Sequence, residues 1–140
     1  MLSSTVSSSK KPRVLFMCVH NSCRSQMAEA IGKHLAGASI DFASAGTEVK
    51  PNINQDAVRL MKEIYGIDIE KKQYSKLYTN EIKVDYLISM GCGVTCPVGA
   101  KAYDEDWGLA DPTGKSDAEF KAVIATIEEK VRALIAKIQA

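Results

Sequence analysis

Arg13-Val-Leu-Phe-Met-Cys18-Val-His-Asn-Ser-Cys-Arg24-Ser25 is the stretch whose reading decides the fold. The apolar run 14–17 has the composition of a short strand buried on both faces. From Ser25 onward the period changes: Met27, Ile31 and Leu35 recur four residues apart, and Gly37 stands just past them, which predicts a helix over 25–35. A strand that runs through a tight loop into a helix turns successive main-chain N–H groups, and the helix N-terminus, toward one point. Such a point binds a tetrahedral oxyanion. The same field favours thiolate over thiol at the cysteine that opens the loop. A nucleophile and an anion cradle in one loop imply chemistry on a bound oxyanion.

Working outward, strands and helices alternate. Residues 40–44 read as a second strand closed by Gly46. Residues 54–65 read as a helix capped by Asn54, with Ala57, Leu60, Met61 and Ile64 on one face and Gly66 at its end. The segment 73–83 is ambiguous, with a short helix as one reading. Residues 85–90 form a third strand, followed by a Gly- and Cys-bearing loop over 91–97 and a short strand near 100–103. Ser116 and Glu119 make a capping box for a last helix whose stripe is Phe120, Ile124, Ile127, Val131, Leu134, Ile135 and Ile138. This alternation predicts an α/β fold with a parallel sheet covered on both faces. Sites in such sheets lie beyond the carboxyl ends of the strands, where Cys18 and Cys92 both fall.

The bulk properties are those of one globular domain. At 140 residues the chain is long enough to bury a core, and 46% hydrophobic with 25% charged residues is ordinary for a soluble domain. A net charge of +1 gives no global argument for nucleic-acid or membrane binding, and no apolar run is long enough to span a bilayer. Residues 1–12 are Ser-rich and lack the apolar core of a secretory signal, so they are expected to be a disordered tail ahead of a catalytic domain over 13–140, in the cytoplasm. Four cysteines in a reducing compartment point to catalysis or metal rather than structural disulfides.

Individual residues then take roles. Arg24 offers a planar fork of donors for two oxygens of an arsenate- or phosphate-like ion. The Ser25 hydroxyl can hydrogen-bond the Cys18 sulfur, and Asn21, which tolerates positive φ, suits the holding of the loop. The oxyanion segment comprises Val19, His20, Asn21, Ser22, Cys23 and Arg24, with His20 at the rim and Cys23 as a small buried support. Asp111-Pro112, in the loop from Trp107 to Lys115, supplies a carboxylic acid that can protonate a departing oxygen. Trp107 walls the site or joins the core, and His34 packs at the surface. Cys92 and Cys96 have two readings. Cys92 attacks a Cys18 adduct and Cys96 resolves the resulting disulfide, or the pairs Cys18/Cys23 and Cys92/Cys96 ligate zinc.

Cys18 to Glu29, as Cys-x-x-Asn-Ser-Cys-Arg-Ser-Gln-Met-Ala-Glu, resembles the signature of thioredoxin-coupled arsenate reductases, whose fold is shared with the low-molecular-weight protein tyrosine phosphatases. Ser44-Ala45-Gly46, Gly91-Cys92-Gly93, Cys96-Pro97, Trp107-Gly108 and Asp111-Pro112-Thr113-Gly114-Lys115 extend the likeness to the final helix. The resemblance implies a four-stranded parallel sheet flanked by helices. It implies arsenate as substrate and arsenite as product, with phosphate or sulfate as analogues. Cys18 would be the nucleophile, Arg24 and Ser25 its stabilisers, Asp111 the acid, Cys92 the second redox thiol and Cys96 the third. It implies no bound cofactor or metal, and an external reductant, either thioredoxin or a low-molecular-weight thiol. The short Cys92–Cys96 spacing belongs to a branch in which some relatives use the latter. A monovalent cation held in some members near Asn21 and Glu29 is not expected here, because Lys76 stands where an acidic partner does in those. Two other functions are compatible with the residues: a phosphatase of the same fold, and a zinc-stabilised or redox-sensing interaction protein.

Overall fold

A computed structural model describes residues 11–48, 50–91 and 101–140. The elements in chain order are β1 (Arg13–Cys18), α1 (Arg24–Ala36), β2 (Asp41–Gly46), α2 (Gln55–Tyr65), α3 (Ile69–Lys72), β3 (Tyr86–Ser89), β4 (Glu105–Asp106) and α4 (Asp117–Gln139). The four strands form one sheet in the order β2-β1-β3-β4, and every pair is parallel. The expected α/β architecture is the one adopted. Residues 1–10 of the expected tail over 1–12, and Cys92 and Cys96, lie outside the described residues.

β1 is central and its side chains alternate between two faces, as strand geometry requires. Val14 and Phe16, with Phe42 and Ile88, enter the larger core. There Phe16 stacks on Phe42 with ring centroids 5.7 Å apart and meets the Trp107 ring at 5.4 Å. Met27 and Ile31 of α1, Leu60 and Met61 of α2, and Phe120, Ile124, Ile127, Val131 and Leu134 of α4 complete this core. Leu15, Met17, Ala45 and Leu87 point the other way, where Tyr78, Ile82, Val84 and Tyr103 pack over them among the described residues. Gly32 explains how α1 sits so close to β2: a Cβ there would stand 2.7 Å from the Phe42 ring.

The caps are those read from the sequence. The Asn54 side chain accepts from the Ala57 N–H, and Gly66 closes α2 at φ 72. Ser116 Oγ accepts from the Glu119 N–H at 3.2 Å at the head of α4. Three expectations shift. Ile64, assigned to the buried face of α2, is 42% exposed, because the face of α2 that packs inward is narrow and buries only Ala57, Leu60 and Met61. The helix considered within 73–83 is absent: a single turn, α3, precedes that segment, whose main chain is committed elsewhere. Lys76 N–H bonds Asn21 Oδ1 at 2.9 Å, and Gly46 receives the Tyr78 N–H and donates to Lys76 O, both at 2.9 Å. The short fourth strand begins at Glu105, because the Asp104 carboxylate takes the Leu87 N–H at 2.8 Å, where a strand carbonyl would otherwise serve. No helix among the described residues is long and apolar enough to cross a membrane.

Candidate active site

β1 delivers Cys18 to the carboxyl edge of the sheet, in register with Gly46 of β2. The loop from Cys18 to Arg24 then turns into α1 through Asn21, the one non-glycine residue with positive φ among those described, at 51°. A Cβ on Gly46 would lie 2.7 Å from Val19 O and 2.9 Å from Asn21 N, so only glycine lets β2 support the loop so closely.

The loop's hydrogen bonding is one-sided. Thr47 and Glu48 donate to the carbonyls of Cys18 and Val19, Asn54 to that of Ser22, and Met27 to that of Cys23. Ser75 Oγ donates to His20 O, and Gln26 Nε2 to Asn21 O. Every carbonyl from Cys18 to Cys23 is therefore held from outside. Among the described residues no protein group accepts the N–H groups of Val19 through Arg24. Main-chain donors left without acceptors are costly unless they face water or an anion. Here they surround a cavity of about 260 Å³ lined by Cys18, Val19, His20, Ser22, Cys23 and Arg24, with Lys50, Asp111 and Thr113 on its remaining wall.

Beneath the cavity lies a fully buried polar chain. Cys18 Sγ and Ser25 Oγ are 2.8 Å apart. Asn21 Oδ1 accepts the Lys76 main-chain N–H, which fixes its amide so that Nδ2 donates to Ser25 Oγ at 2.8 Å. The Ser25 hydroxyl, having accepted there, has its own hydrogen to give to the Cys18 sulfur. Gln26 and Gln73 extend the network, with Gln73 Nε2 donating to Gln26 Oε1 at 2.7 Å. Asn21, expected both to hold the loop and to belong to the oxyanion segment, thus has its side chain committed to holding the loop from behind.

Arg24 is 6% exposed, and its Nη1 donates to Leu109 O at 2.7 Å, which ties the anion loop to the stretch carrying Asp111. Asp111 Oδ1 accepts from the Thr113 hydroxyl at 2.7 Å and the Thr113 N–H at 3.1 Å. Burial alone would raise the Asp111 carboxyl, but the two Thr113 hydrogen bonds and the Arg24 and Lys50 charges outweigh it, so the group titrates below the usual carboxylate range. Cys23 is buried, and burial first, then the negative charges of Asp111 and Cys18, push its thiol up to about 12. It stays neutral and supports the wall, as its sequence position suggested.

The remaining expected residues separate. His20 is at the rim, its Nε2 3.5 Å from Glu48 Oε1. Trp107 is 7% exposed and belongs to the core. His34 is exposed, its ring edge-on to Tyr65. Glu29, 4% exposed, accepts from Ser44 Oγ and is paired with Lys33 and Lys76. Lys50 was not anticipated. The available signal was a cation in the loop just after β2, the strand that neighbours β1.

The family profile described as Low molecular weight phosphotyrosine protein phosphatase matches residues 13–140. The chain belongs to that family. Within it the chain is 39% identical over 130 residues to a glutaredoxin arsenate reductase of Synechocystis sp., covering 90% of this chain and 98% of the relative. A solved arsenate reductase in a phosphate-binding state superposes with a TM-score of 0.79 at 39% identity, over 91% of this chain and 98% of that one. A thioredoxin-dependent arsenate reductase of Corynebacterium glutamicum superposes with a TM-score of 0.76 at 34% identity, over 99% of this chain and 67% of that one. This member of the phosphatase family is therefore similar, over nearly its whole length, to proteins that reduce arsenate.

Proposed function

We propose that the chain is an arsenate reductase whose catalytic unit is residues 13–140, preceded by a tail, and that it works by a three-thiol relay. One observation carries the choice of substrate. The cavity around Cys18 is lined by main-chain donors, two cations, a carboxylate, hydroxyls and the His20 imidazole, with no Phe, Tyr or Trp ring among its described lining to stack on an aryl group. A pocket of that kind suits a small inorganic oxyanion better than an aryl ester.

Arsenate dianion takes the N–H groups of the Cys18–Arg24 loop and the Arg24 guanidinium. The Cys18 thiolate, stabilised by the Ser25 hydroxyl, attacks arsenic, and one oxygen leaves as water with the proton supplied by Asp111. Asp111 is a carboxylate in the free pocket, but a bound dianion adds like charge beside it and engages Arg24 and Lys50, which favours its protonated form. Cys92 then attacks the Cys18 sulfur. The S–As bond breaks with its electron pair remaining on arsenic, so As(V) becomes As(III) and arsenite departs from a Cys18–Cys92 disulfide. Cys96 attacks Cys92, which frees Cys18 and leaves a Cys92–Cys96 disulfide for an external thiol to reduce. Thioredoxin and glutaredoxin are both candidates, each named for one of the similar proteins.

The test is arsenite formation coupled to NADPH, with thioredoxin plus its reductase in one arm and glutathione plus glutaredoxin in the other. Cys92→Ser should abolish turnover in both while leaving slow aryl-phosphate cleavage by Cys18, Arg24 and Asp111, the chemistry for which the family is described. Wild-type turnover by Cys92→Ser would refute the relay.

A further inference from the structure

We propose that Thr113 is the positioning residue of the acid: it occupies Oδ1 of Asp111 with two donors, so that Oδ2 carries the transferable proton. This rests on the reading of Asp111 as the group that protonates the departing oxygen. Both residues line the Cys18 cavity. The Thr113 hydroxyl and main-chain N–H reach the same carboxyl oxygen, at 2.7 and 3.1 Å. Among the described residues no donor reaches Oδ2. The turn that carries Thr113 is firmly built: Pro112 is buried, and its carbonyl accepts the Lys115 N–H at 2.8 Å.

The two oxygens of a carboxylic acid are unlike: the carbonyl oxygen is a good acceptor and the oxygen bearing the proton a poor one. Protonation on Oδ2 therefore keeps both Thr113 bonds. Protonation on Oδ1 weakens both, and the main-chain N–H cannot turn away. The Thr113 hydroxyl also interacts with the Cys23 sulfur. That thiol stays neutral, so it can give its hydrogen to the Thr113 oxygen and leave the hydroxyl hydrogen for Asp111. The proton is thus confined to the oxygen open to a ligand, in a carboxyl whose plane is fixed. Without the hydroxyl the group can protonate on either oxygen and turn about its own bond, so fewer bound complexes present a proton to the leaving oxygen. The hydroxyl bond also favours the carboxylate, so its loss raises the proton affinity of Asp111. Slower proton transfer from a group that is more often protonated distinguishes lost positioning from lost acidity.

The experiment compares kcat/KM for phenyl phosphate, a poor leaving group that needs the acid, with that for 4-nitrophenyl phosphate, a good one that needs it little. The proteins are wild type, Thr113→Val, Thr113→Ser and, as reference, Asp111→Asn. Asp111→Asn should slow phenyl phosphate by about two orders of magnitude and 4-nitrophenyl phosphate far less. Thr113→Val should show the same pattern in weaker form, roughly tenfold against less than about threefold, and Thr113→Ser should restore both. Calorimetry should find inorganic phosphate bound by Thr113→Val within about twofold of wild type, since the loop and Arg24 are intact. Carbon-13 titration of the Asp111 carboxyl in the free protein should place its pKa higher in Thr113→Val than in wild type. Equal slowing of both esters, or an Asp111 pKa no higher in Thr113→Val, would overturn the proposal. An Asp111→Asn protein that slows the two esters alike would reject the acid reading and the proposal with it. Absence of arsenite in wild type together with the stated ester pattern would instead reject the reductase reading and leave the role of Thr113 standing.

Discussion

Replacing Ser25 by Ala tests how the fold keeps Cys18 reactive. The perturbation removes one hydroxyl from a position that is 0% exposed, inside a helix where alanine is well tolerated. Two effects follow from the geometry. The sulfur loses its 2.8 Å partner, and a hydrogen bond to a charged group contributes about 1.5–3 kcal/mol. At about 1.4 kcal/mol per factor of ten, reactions that need the sulfur anion should slow by roughly ten- to a hundredfold. The Asn21 amide also loses the acceptor it holds at 2.8 Å, and a buried unsatisfied donor costs about 1–3 kcal/mol of stability. The catalytic loss should therefore appear in a protein that is destabilised but folded at room temperature. Alkylation of Cys18 by iodoacetamide, followed by mass spectrometry below neutral pH, reads the first effect without any substrate. Denaturant melts read the second. Inorganic phosphate should protect both proteins from alkylation, because the loop's N–H groups remain. An alkylation rate within twofold of wild type in a folded Ser25→Ala protein would refute the role of the hydroxyl.

Asp111→Asn should slow formation of the Cys18 adduct by about two orders of magnitude, the usual contribution of a positioned acid, in single-turnover quench experiments. Because the folded carboxyl titrates below its ordinary range, Asp111 stabilises the protein above that range and loses the contribution as pH falls, so Asp111→Asn should show a slightly shallower acid limb in melts against pH. Cys23, with its thiol at about 12, should resist alkylation at pH 8 in the folded protein and react once it is unfolded, as peptide mapping would show. Above the ordinary thiol range the unfolded chain releases that proton first, so stability should fall with rising pH until about 12, and Cys23→Ala should remove this slope. Gly32→Ala gains about 1 kcal/mol of helix propensity but forces a methyl within 2.7–2.8 Å of three Phe42 ring atoms. Overpacking costs about 1–3 kcal/mol, so the melt should move down; a rise would show that the ring yields freely.

The parts of the fold legible in the sequence were those with local causes. An apolar run, a 3.6 period, an Asn54 cap, a left-handed Gly66 and a capping box at Ser116 each act within a few residues, and each fixed its element to within one or two positions. Cys18, Arg24 and Ser25 could be picked out together because a strand, a loop and a helix N-terminus follow one another within a few residues, and Asp111 only in combination with that loop. The segment 73–78 was not, since its extended course is dictated by Asn21, Gln26 and Gly46, about 30 to 55 residues earlier in the chain. The place of Lys50 in the cavity wall is likewise a product of packing between loops that no local pattern records.

That packing accounts for how distant pieces of chain become one site. The stretch leading to Asp111 is fixed at its root by the main chain at the end of β3, with Trp107 donating to Ser89 O and Leu109 to Met90 O, at 2.9 and 2.8 Å. Gly91, at φ 95, lies so near Gly108 that a Cβ on it would be 2.5 Å from Gly108 Cα, so the stretch after β3 tolerates no side chain at this crossing, whereas a Cβ on Gly108 would meet nothing within 4 Å. Arg24 then reaches across to Leu109 O. The guanidinium that faces the anion is thus oriented by the same backbone that positions the acid, and Ser25, next in sequence, is oriented by Asn21 and ultimately by the Lys76 amide. Nucleophile, anion cradle and acid are each supported by main chain from a different strand end. The spacing between sulfur and carboxyl is therefore a property of the sheet edge rather than of either loop.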